Sequence, residues 1–405
     1  MTIDAVVAGH LCLDIFPDFT VSPKATLATV LSPGCLTEVG TATLSTGGAV
    51  SNTGLALNKL GLATHLIGKV GDDFFGQAVQ NIIASHGQHL ADGIVVDKSA
   101  STSYTIIINL PAVDRIFLHC PGVNDTFRAS DIRDERLSQA RLFHFGYPTV
   151  IKSMYEPNGA QLTAMFKRAK ESGVTTSLDM ALPDPASASG RADWATILQS
   201  TLPWVDIFLP SIEEILYMLR RETFEQMRRA GSGAGFLSQA TPELLSDLSR
   251  QLEAMGVKIV VLKLGERGLY MRTASRSAIE NLGRAKPPAT GAWADREMWA
   301  PCFQVQVAGT TGCGDSTIAG FLGGLLRGLS PEMTLTVAVA VGACNVEAPD
   351  ALSGIRPWRE TLDRITSGWT RRDLQLTSPG WHWEQEPGLW VGPCFRLRSF
   401  ISAAP

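Results

Sequence analysis

The 405-residue sequence lacks the features of secreted, membrane and nucleic-acid-binding proteins. Its seven cysteines are scattered without a CxxC pair or a metal-ligand spacing, so we expect reduced thiols rather than disulfides or a zinc site. No uninterrupted apolar run reaches the roughly 20 residues that a membrane helix needs. The formal net charge of −4, from 35 Lys and Arg against 39 Asp and Glu, provides no basic field to attract nucleic acid. The N-terminus has no basic region typical of a signal peptide, and we expect a cytoplasmic protein.

What the sequence does contain is an alternation of strand and helix patterns. Short β-rich runs at 65–70, 142–147, 175–180 and 206–211 precede helical stretches at 73–85, 159–172, 192–200 and 212–220. This alternation predicts a three-layer α/β/α fold, in which helices cover both faces of a mostly parallel sheet. With 45% hydrophobic and 18% charged residues, one large domain over 1–365 is expected to bury a substantial core.

Three kinds of region depart from this alternation. The segments 14–46 and 100–120 contain alternating apolar and polar residues without a useful helix, which predicts a small separate β-sheet. The Gly-, Ala-, Pro- and Arg-rich composition of 274–300 and 227–240, without a regular apolar period, predicts surface loops. From 366 to 405 the chain is rich in Trp, Pro and Gly, and we expect a C-terminal extension there.

The stretch FQVQVAGTTGCGDSTIAGFLGGLLRG, residues 303–328, carries the clearest chemistry. It predicts a strand, a tight turn and a helix that begins near Gly314. Gly312 and Gly314 allow a sharp turn and a close approach to a ligand, and the exposed amides of a helix N-terminus bind anions such as phosphate. Asp315 follows in the first turn, where it can remove a proton from an attacking hydroxyl. The alternative is that Asp315 only caps the helix.

Several motifs in the expected order make the sequence resemble the ribokinase or phosphofructokinase-B family of carbohydrate kinases. GTTGCGDSTIAGFLGGLL resembles the family's second signature, and GGAVSNTGLALNKLG at 47–61 with GKVGDDFFG at 68–76 resembles the first. PGVN at 121–124, LPSIEEI at 209–215 and VVLKLGERGLY at 260–270 add further matches. The resemblance covers about residues 3–355. It implies a ribokinase-like fold, in which the small sheet acts as a lid over the substrate and contributes to a homodimer.

The resemblance also implies a role for individual residues. Asp315, with Gly312, Cys313 and Gly314, would form the catalytic group, and Asp14, Gly47, Gly48 and Asn52 would bind the acceptor. Lys263, Gly265, Gly268, Thr310, Thr311 and Asn345 would lie around ATP, and Glu214 would order Mg²⁺. Each also has a simpler interpretation. Asp14 is compatible with a strand-end turn, Asn52 and Glu214 with the first turn of a helix, and Lys263 with an ordinary strand-end charge.

Four positions depart from the family pattern. Gly309 replaces the Asp that helps to hold a monovalent cation in relatives, so activation by potassium is uncertain. Ser211 replaces the usual Asn of the magnesium element, and Ala49 replaces a Lys found in many sugar kinases, which disfavours a phosphorylated acceptor. Cys313 replaces a usual Ala. It is either a small residue chosen for volume or a thiol made reactive by the helix N-terminus.

The sequence therefore favours an ATP-dependent kinase that phosphorylates a hydroxyl of a sugar or sugar-like molecule. Two alternatives stay open: a nucleoside kinase of the same fold, and a catalytically silent protein that binds sugar or nucleotide. The second is disfavoured because a binding protein needs no base at Asp315. We expect a small sugar or nucleoside acceptor and a homodimer, and neither nucleic acid nor a membrane as partner.

Overall fold

A computed structural model describes residues 2–19, 26–30, 32–110 and 116–393. Parts of the predicted small-sheet segments, at 20–25, 31 and 111–115, lie outside these residues, as does the end of the predicted extension at 394–405. Among the described residues, no helix combines the length and the apolar character needed to cross a membrane.

The strands are β1 (Ile3–Gly9), β2 (Cys12–Phe16), β3 (Thr43–Gly47), β4 (Thr64–Ile67), β5 (Lys69–Gly71), β6 (Val95–Asp97), β7 (Tyr104–Ile108), β8 (Ile116–Cys120), β9 (Ala140–Gly146), β10 (Thr175–Leu178), β11 (Ile207–Phe208), β12 (Ile259–Lys263), β13 (Leu269–Thr273), β14 (Glu297–Ala300), β15 (His382–Glu384) and β16 (Leu389–Val391). The helices are α1 (Leu27–Val30), α2 (Ala49–Lys59), α3 (Phe74–Ser85), α4 (Asp134–Gln139), α5 (Lys152–Tyr155), α6 (Ala160–Glu171), α7 (Ala188–Arg191), α8 (Trp194–Thr201), α9 (Ile212–Leu219), α10 (Arg221–Ala230), α11 (Ala234–Leu237), α12 (Pro242–Ala254), α13 (Arg276–Glu280), α14 (Thr290–Trp293), α15 (Cys313–Leu326), α16 (Pro331–Asn345) and α17 (Trp358–Thr366).

The main sheet, within the described residues, has ten strands in the order β15-β16-β14-β13-β12-β11-β10-β9-β1-β4. The strands from β4 to β12 in this order are parallel, and the strands from β13 to β15 are antiparallel. Successive β1 residues point to opposite faces, so Ala5 and Val7 join one hydrophobic core while Val6 and Ala8 join the other. Helices α2, α15 and α16 cover the first face, and α6, α8, α9 and α12 cover the second. The predicted three-layer α/β/α fold with a mostly parallel sheet is confirmed.

Helices α15 and α16 are apolar on nearly every side because they are almost completely buried. A Cβ at Gly320 would lie 2.9 Å from the Cα of Ala338, so glycine allows the two helices to pack closely. This packing fixes the direction of α15 and therefore the position of its N-terminus.

The predicted small sheet is also present and has the order β3-β2-β7-β8. It has two chemically different faces. Cross-strand neighbours Ser45, Asp14, Thr105 and His119 form a polar row, and Leu44, Ile15, Ile106 and Leu118 form an apolar row on the other face.

Three regions in the second half of the chain differ from simple loops. The prediction of a surface loop is wrong for most of 274–300, which contains α13, α14 and β14, a buried strand of the main sheet whose Trp299 is fully enclosed. The four residues of β14 are too few to show an alternation in sequence. The same prediction is also wrong for much of 227–240, which contains the end of α10 and all of α11 with the buried Phe236. The Trp-rich extension adds β15 and β16 to the same edge, and the Trp390 indole donates to the Leu374 carbonyl at 2.9 Å.

Candidate active site

The N-terminus of α15 opens onto a cavity of about 580 Å³ at the carboxyl ends of the parallel strands. Gly312 precedes the helix with φ +68°, and a Cβ there would lie 2.6 Å from the Cβ of Ala351. Both the backbone conformation and the lack of space therefore require glycine. Gly312, Cys313, Gly314 and Asp315 all line the cavity, so the predicted catalytic group is brought together.

Asp315 is 3% exposed, and three side chains hold its carboxylate. The Tyr147 hydroxyl donates to Oδ2 at 2.7 Å, and the Asn52 amide donates to the same oxygen at 3.2 Å. The Thr53 hydroxyl donates to Oδ1 at 2.9 Å. Burial, reinforced by the Asp315 charge, raises the pKa of Tyr147 well above its usual value, so the phenol keeps its proton and continues to donate. These contacts fix the orientation of the carboxylate.

Lys263 lies among carboxylates beneath the first turn of α15. Its Nζ donates to Asp179 Oδ1, and its side chain would be in van der Waals contact with a Cβ at Gly314. Burial opposes the charge of Lys263, but the carboxylates of Asp179, Glu214 and Asp315 outweigh burial and raise its pKa. The lysine is thus an internal counter-ion rather than the strand-end surface charge of the simpler interpretation.

Glu214 forms a capping box with Ser211 at the start of α9. The Ser211 N–H donates to Glu214 Oε2 at 2.6 Å, and the Glu214 N–H donates to Ser211 Oγ at 3.1 Å. Burial, with Asp315 nearby, raises the pKa of Glu214. Glu214 lines the cavity, whereas the described chain contains no group of three His, Cys, Asp or Glu side chains placed to hold a metal by themselves.

The residues predicted around ATP divide into two groups. Gly265, Gly268 and Thr310 line the cavity with Lys263, and Thr311 leads into the turn at Gly312. Asn345 instead donates to the Ala351 carbonyl at 2.7 Å, which holds Ala351 against Gly312. Its helix contributes other residues to the cavity wall, namely Val339, Gly342 and Ala343.

The residues predicted to bind the acceptor lie between the small sheet and α2. A Cβ at Gly47 would lie 2.2 Å from Asp14 Oδ2, and a Cβ at Gly48 would lie 2.6 Å from His10 Nδ1. Burial raises the pKa of Asp14 to about 6, and its Oδ1 accepts a hydrogen bond from the Cys12 thiol at 3.2 Å. Asn52 connects this region to Asp315 through the contact described above.

The departure at Gly309 has a packing explanation. A Cβ at this position would lie 2.8 Å from the carbonyl oxygen of Pro349. The backbone N–H groups of Ala308 and Gly309 both donate to the Val346 carbonyl, at 2.8 and 3.2 Å. The turn therefore has no space for the side chain that the family pattern places there.

Comparison with known proteins identifies the family. The model for "pfkB family carbohydrate kinase" matches residues 18–358. The chain belongs to the pfkB family of carbohydrate kinases. It is therefore a phosphotransferase with an alcohol group as acceptor.

Three similar proteins illustrate this pfkB-family membership. A probable fructokinase-5 from Arabidopsis thaliana is 26% identical over 68% of this chain and 72% of its own. An Arabidopsis thaliana ribokinase in complex with ribose and ATP superposes with a TM-score of 0.65 and 19% identity, over 90% of this chain and 98% of that one. A putative ribokinase II from E. coli in complex with ATP and Mg²⁺ gives a TM-score of 0.63 and 17% identity, over 90% and 99%. At these identities the two structures show a shared fold.

The sequence did not indicate three residues of this candidate site, namely Tyr147 and Thr53, which donate to Asp315, and Asp179, which accepts from Lys263. Tyr147 and Asp179 each directly follow a parallel strand, β9 and β10. Because ligands bind at the carboxyl ends of parallel strands, the position of these two residues in the sequence could have indicated that they belong to the candidate site. Thr53 lies beside Asn52 within a quoted motif, but its contact with Asp315 spans 262 positions and could not be read from the sequence.

Proposed function

We propose that this chain uses ATP to phosphorylate a hydroxyl of a sugar or sugar-like molecule, with Asp315 as the general base. The observation that carries the proposal is the position of the Asp315 carboxylate. It is buried, oriented by three donors and located in the first turn of a helix whose N-terminus opens onto the cavity. A carboxylate and a phosphate-binding N-terminus are thus adjacent, as phosphoryl transfer to a hydroxyl requires.

The cavity is suited to ATP in both shape and polarity. Its polar end is formed by the turn at Gly312 and Gly314, which is only partly buried and lies at the N-terminus of α15, where backbone amides can bind phosphate. Its other walls include Val305, Val339 and Val346, which offer an apolar surface to the adenine base of ATP. The ATP named with the E. coli and Arabidopsis structures supports the same assignment here.

Charge balance supports Mg²⁺. Asp179, Glu214 and Asp315 surround the single ammonium group of Lys263. Burial raises the pKa of Asp179 to about 8 and also raises the pKa of Glu214, so a bound cation would favour the ionised form of these carboxyl groups. Mg²⁺ prefers oxygen ligands and keeps much of its water, so Glu214 with phosphate oxygens would be sufficient to hold it. The ion would neutralise phosphate charge when bound. The Mg²⁺ named with the E. coli structure agrees with this assignment.

In the proposed reaction, Asp315 accepts the proton of the acceptor hydroxyl while the hydroxyl oxygen bonds to the γ-phosphorus and the bond to the β-phosphate oxygen breaks. Tyr147, Asn52 and Thr53 keep the carboxylate pointed at the hydroxyl. The amides of Gly312 and Gly314 stabilise the charge that develops on the phosphoryl oxygens. The small sheet would act as a lid that excludes water and so limits hydrolysis of ATP.

An acceptor panel tests this function. The full-length protein is incubated with MgATP and either D-fructose, D-ribose or adenosine, and ADP release is followed with a coupled assay. We expect turnover with a sugar and at most slow turnover with adenosine. Turnover restricted to adenosine would support the nucleoside-kinase alternative. Binding of sugar or nucleotide without any ADP release would support the silent alternative.

We further propose that the apolar row of the small sheet forms a homodimer contact. Leu44 and Leu118, at its two ends, are 48% and 49% exposed, whereas Ile15 and Ile106 between them are half-buried. Exposed leucines of this kind are costly to leave in water. Sedimentation at micromolar concentration should give a dimer that Leu118→Lys converts to monomer. Trp383→Lys is the matched control, because it places the same charge on an exposed apolar residue of β15, the last strand of the main sheet. A monomeric unmodified protein would refute the proposal.

A further inference from the structure

His10 lies between the small sheet and α2, the two elements that carry the residues predicted to bind the acceptor. It directly follows β1, where its N–H donates to the Gly146 carbonyl at 3.3 Å and its carbonyl accepts from the Val50 N–H at 3.2 Å. The residue is only 5% exposed. Within the part of the chain that the structure describes, neither nitrogen of its ring has a hydrogen-bond partner. Buried polar groups are nearly always hydrogen-bonded, so this ring lacks partners that a ligand could provide.

The neighbours of the ring connect it to the reacting carboxylate and to the small sheet. The Tyr147 ring is stacked on one side, with 6.4 Å between ring centroids, and its hydroxyl donates to Asp315. The His119 ring of β8 lies 5.1 Å away on another side. His119 belongs to the polar row that also contains Asp14, so this row is the face of the small sheet directed at His10.

A second unpartnered atom lies on α2. Asn52 is 8% exposed, and its Nδ2 donates to Asp315, but its Oδ1 has no partner among the described residues. Both side chains with unpartnered atoms therefore lie close to the proposed base. Asn52 contacts Asp315 directly, and His10 stacks on Tyr147, whose hydroxyl donates to Asp315. Two such orphans around one carboxylate indicate a polar ligand between the main sheet and the small sheet.

The state of the His10 ring limits the chemistry of that ligand. Burial, together with the neighbouring His119, lowers the pKa of His10 to about 3. The ring is consequently neutral near pH 7 and offers one N–H donor and one nitrogen acceptor. A hydroxyl can both donate and accept, so a neutral imidazole can bind two hydroxyls of a polyol. The neutral His10 ring provides no positive charge to bind a phosphate group, and neither does Ala49 at the start of α2.

We propose that His10 is a specificity residue, which binds hydroxyl groups of a neutral, unphosphorylated acceptor and disfavours acceptors that carry a phosphate. The proposal deepens the proposed function and rests on it. The His119 ring covers the His10 ring from the small sheet. Gly48 lacks the Cβ that would collide with both the backbone carbonyl oxygen and Nδ1 of His10, so it allows α2 to begin directly beside this residue.

The competing interpretation is that the imidazole only fills space, and two variants separate the two roles. His10→Leu removes both ring nitrogens, whereas His10→Gln keeps one donor and one acceptor. If His10 binds the acceptor, His10→Leu should raise the acceptor KM by roughly 10- to 100-fold. It should leave the KM for ATP unchanged and the Tm of the ligand-free protein equal or higher, because no buried polar group is left without a partner. His10→Gln should recover much of the affinity.

The assay measures acceptor binding by calorimetry and turnover by ADP release, with D-fructose, D-ribose, fructose 6-phosphate and ribose 5-phosphate as probes. An unchanged acceptor KM in His10→Leu, or a lower Tm with no loss of acceptor binding, would show a space-filling role. Preferential turnover of the two phosphorylated sugars would also overturn the inference. If the protein binds a neutral sugar without turnover and His10→Leu abolishes that binding, the inference is supported and the proposed function fails.

Discussion

The substitution Asp315→Asn provides the most direct test of the proposed mechanism. It removes the charge and the basic oxygen but keeps the shape of the side chain. The amide oxygen can still accept from Tyr147 and Asn52 if the new NH₂ group faces Thr53. The Thr53 hydroxyl can rotate to accept a hydrogen bond. We therefore expect the fold to survive this change.

The expected effect on catalysis follows from the loss of the base. General bases contribute about 10²- to 10⁴-fold to rate, which corresponds to about 2.7–5.5 kcal/mol in the barrier. This loss should appear in kcat. The KM for ATP should change little, because the backbone amides of Gly312 and Gly314 remain in place.

The measurement is ADP release at saturating MgATP with the best acceptor from the panel. Asp363→Asn is the matched control, because it makes the same chemical change at an exposed position of α17. Circular dichroism and thermal unfolding establish that each variant is folded. If folded Asp315→Asn kept a kcat similar to that of the Asp363→Asn control, Asp315 would not be the base.

Three further predictions concern other parts of the molecule. Alkylation of Cys313 should inactivate the enzyme, and bound ATP should slow the alkylation. Cys302, in the same cavity, should react little because burial raises the pKa of its thiol to about 12. Full activity after modification of Cys313, verified by mass spectrometry, would contradict this prediction. Glu214→Gln should keep the capping box but raise the Mg²⁺ concentration for half-maximal activity by roughly tenfold, and an unchanged Mg²⁺ titration would exclude a role in ordering the ion. Burial, with Lys263 nearby, lowers the pKa of His144 to about 3, so this residue's contribution to stability is complete above its unfolded pKa of about 6.5 and declines as the pH falls toward 3. Between pH 6.5 and pH 5.0 the protein should lose about 2 kcal/mol of unfolding free energy through His144. Urea unfolding of His144→Gln should therefore show a pH dependence that is shallower by that amount.

The sequence predicted well those features that depend on local periodicity. The helical stretches at 73–85, 159–172 and 192–200 correspond to α3, α6 and α8 within two residues at each end. The alternating segments correspond to the small sheet. The strand β14 was missed because four buried residues are too few to show either period, and its position depends on neighbours from β13 and β16.

The candidate site could be predicted only in part. Gly312 and Gly314 carry their own explanation, since the turn and the close approach depend on the residues themselves. The donors around Asp315 come from α2 and from the end of β9, which the fold alone brings together. Burial cannot be read from a sequence either, so the role of Lys263 as a counter-ion required the structure.

The charge cluster also bears on whether the chain is a silent binding protein. Asp179 and Asp315 are 1% and 3% exposed and share one lysine with Glu214. Burial raises the pKa of Asp179 to about 8 and also raises that of Glu214, so it costs free energy to keep these carboxyl groups ionised. Apolar replacements at such positions are often neutral or stabilising. A protein that only binds its ligand would gain from them, whereas a phosphotransferase needs the carboxylates for a base and for a metal ion. Because Ser211 still forms the capping box that positions Glu214, its substitution alters a detail of this cluster and leaves the cluster intact. The arrangement of charges therefore favours an active kinase.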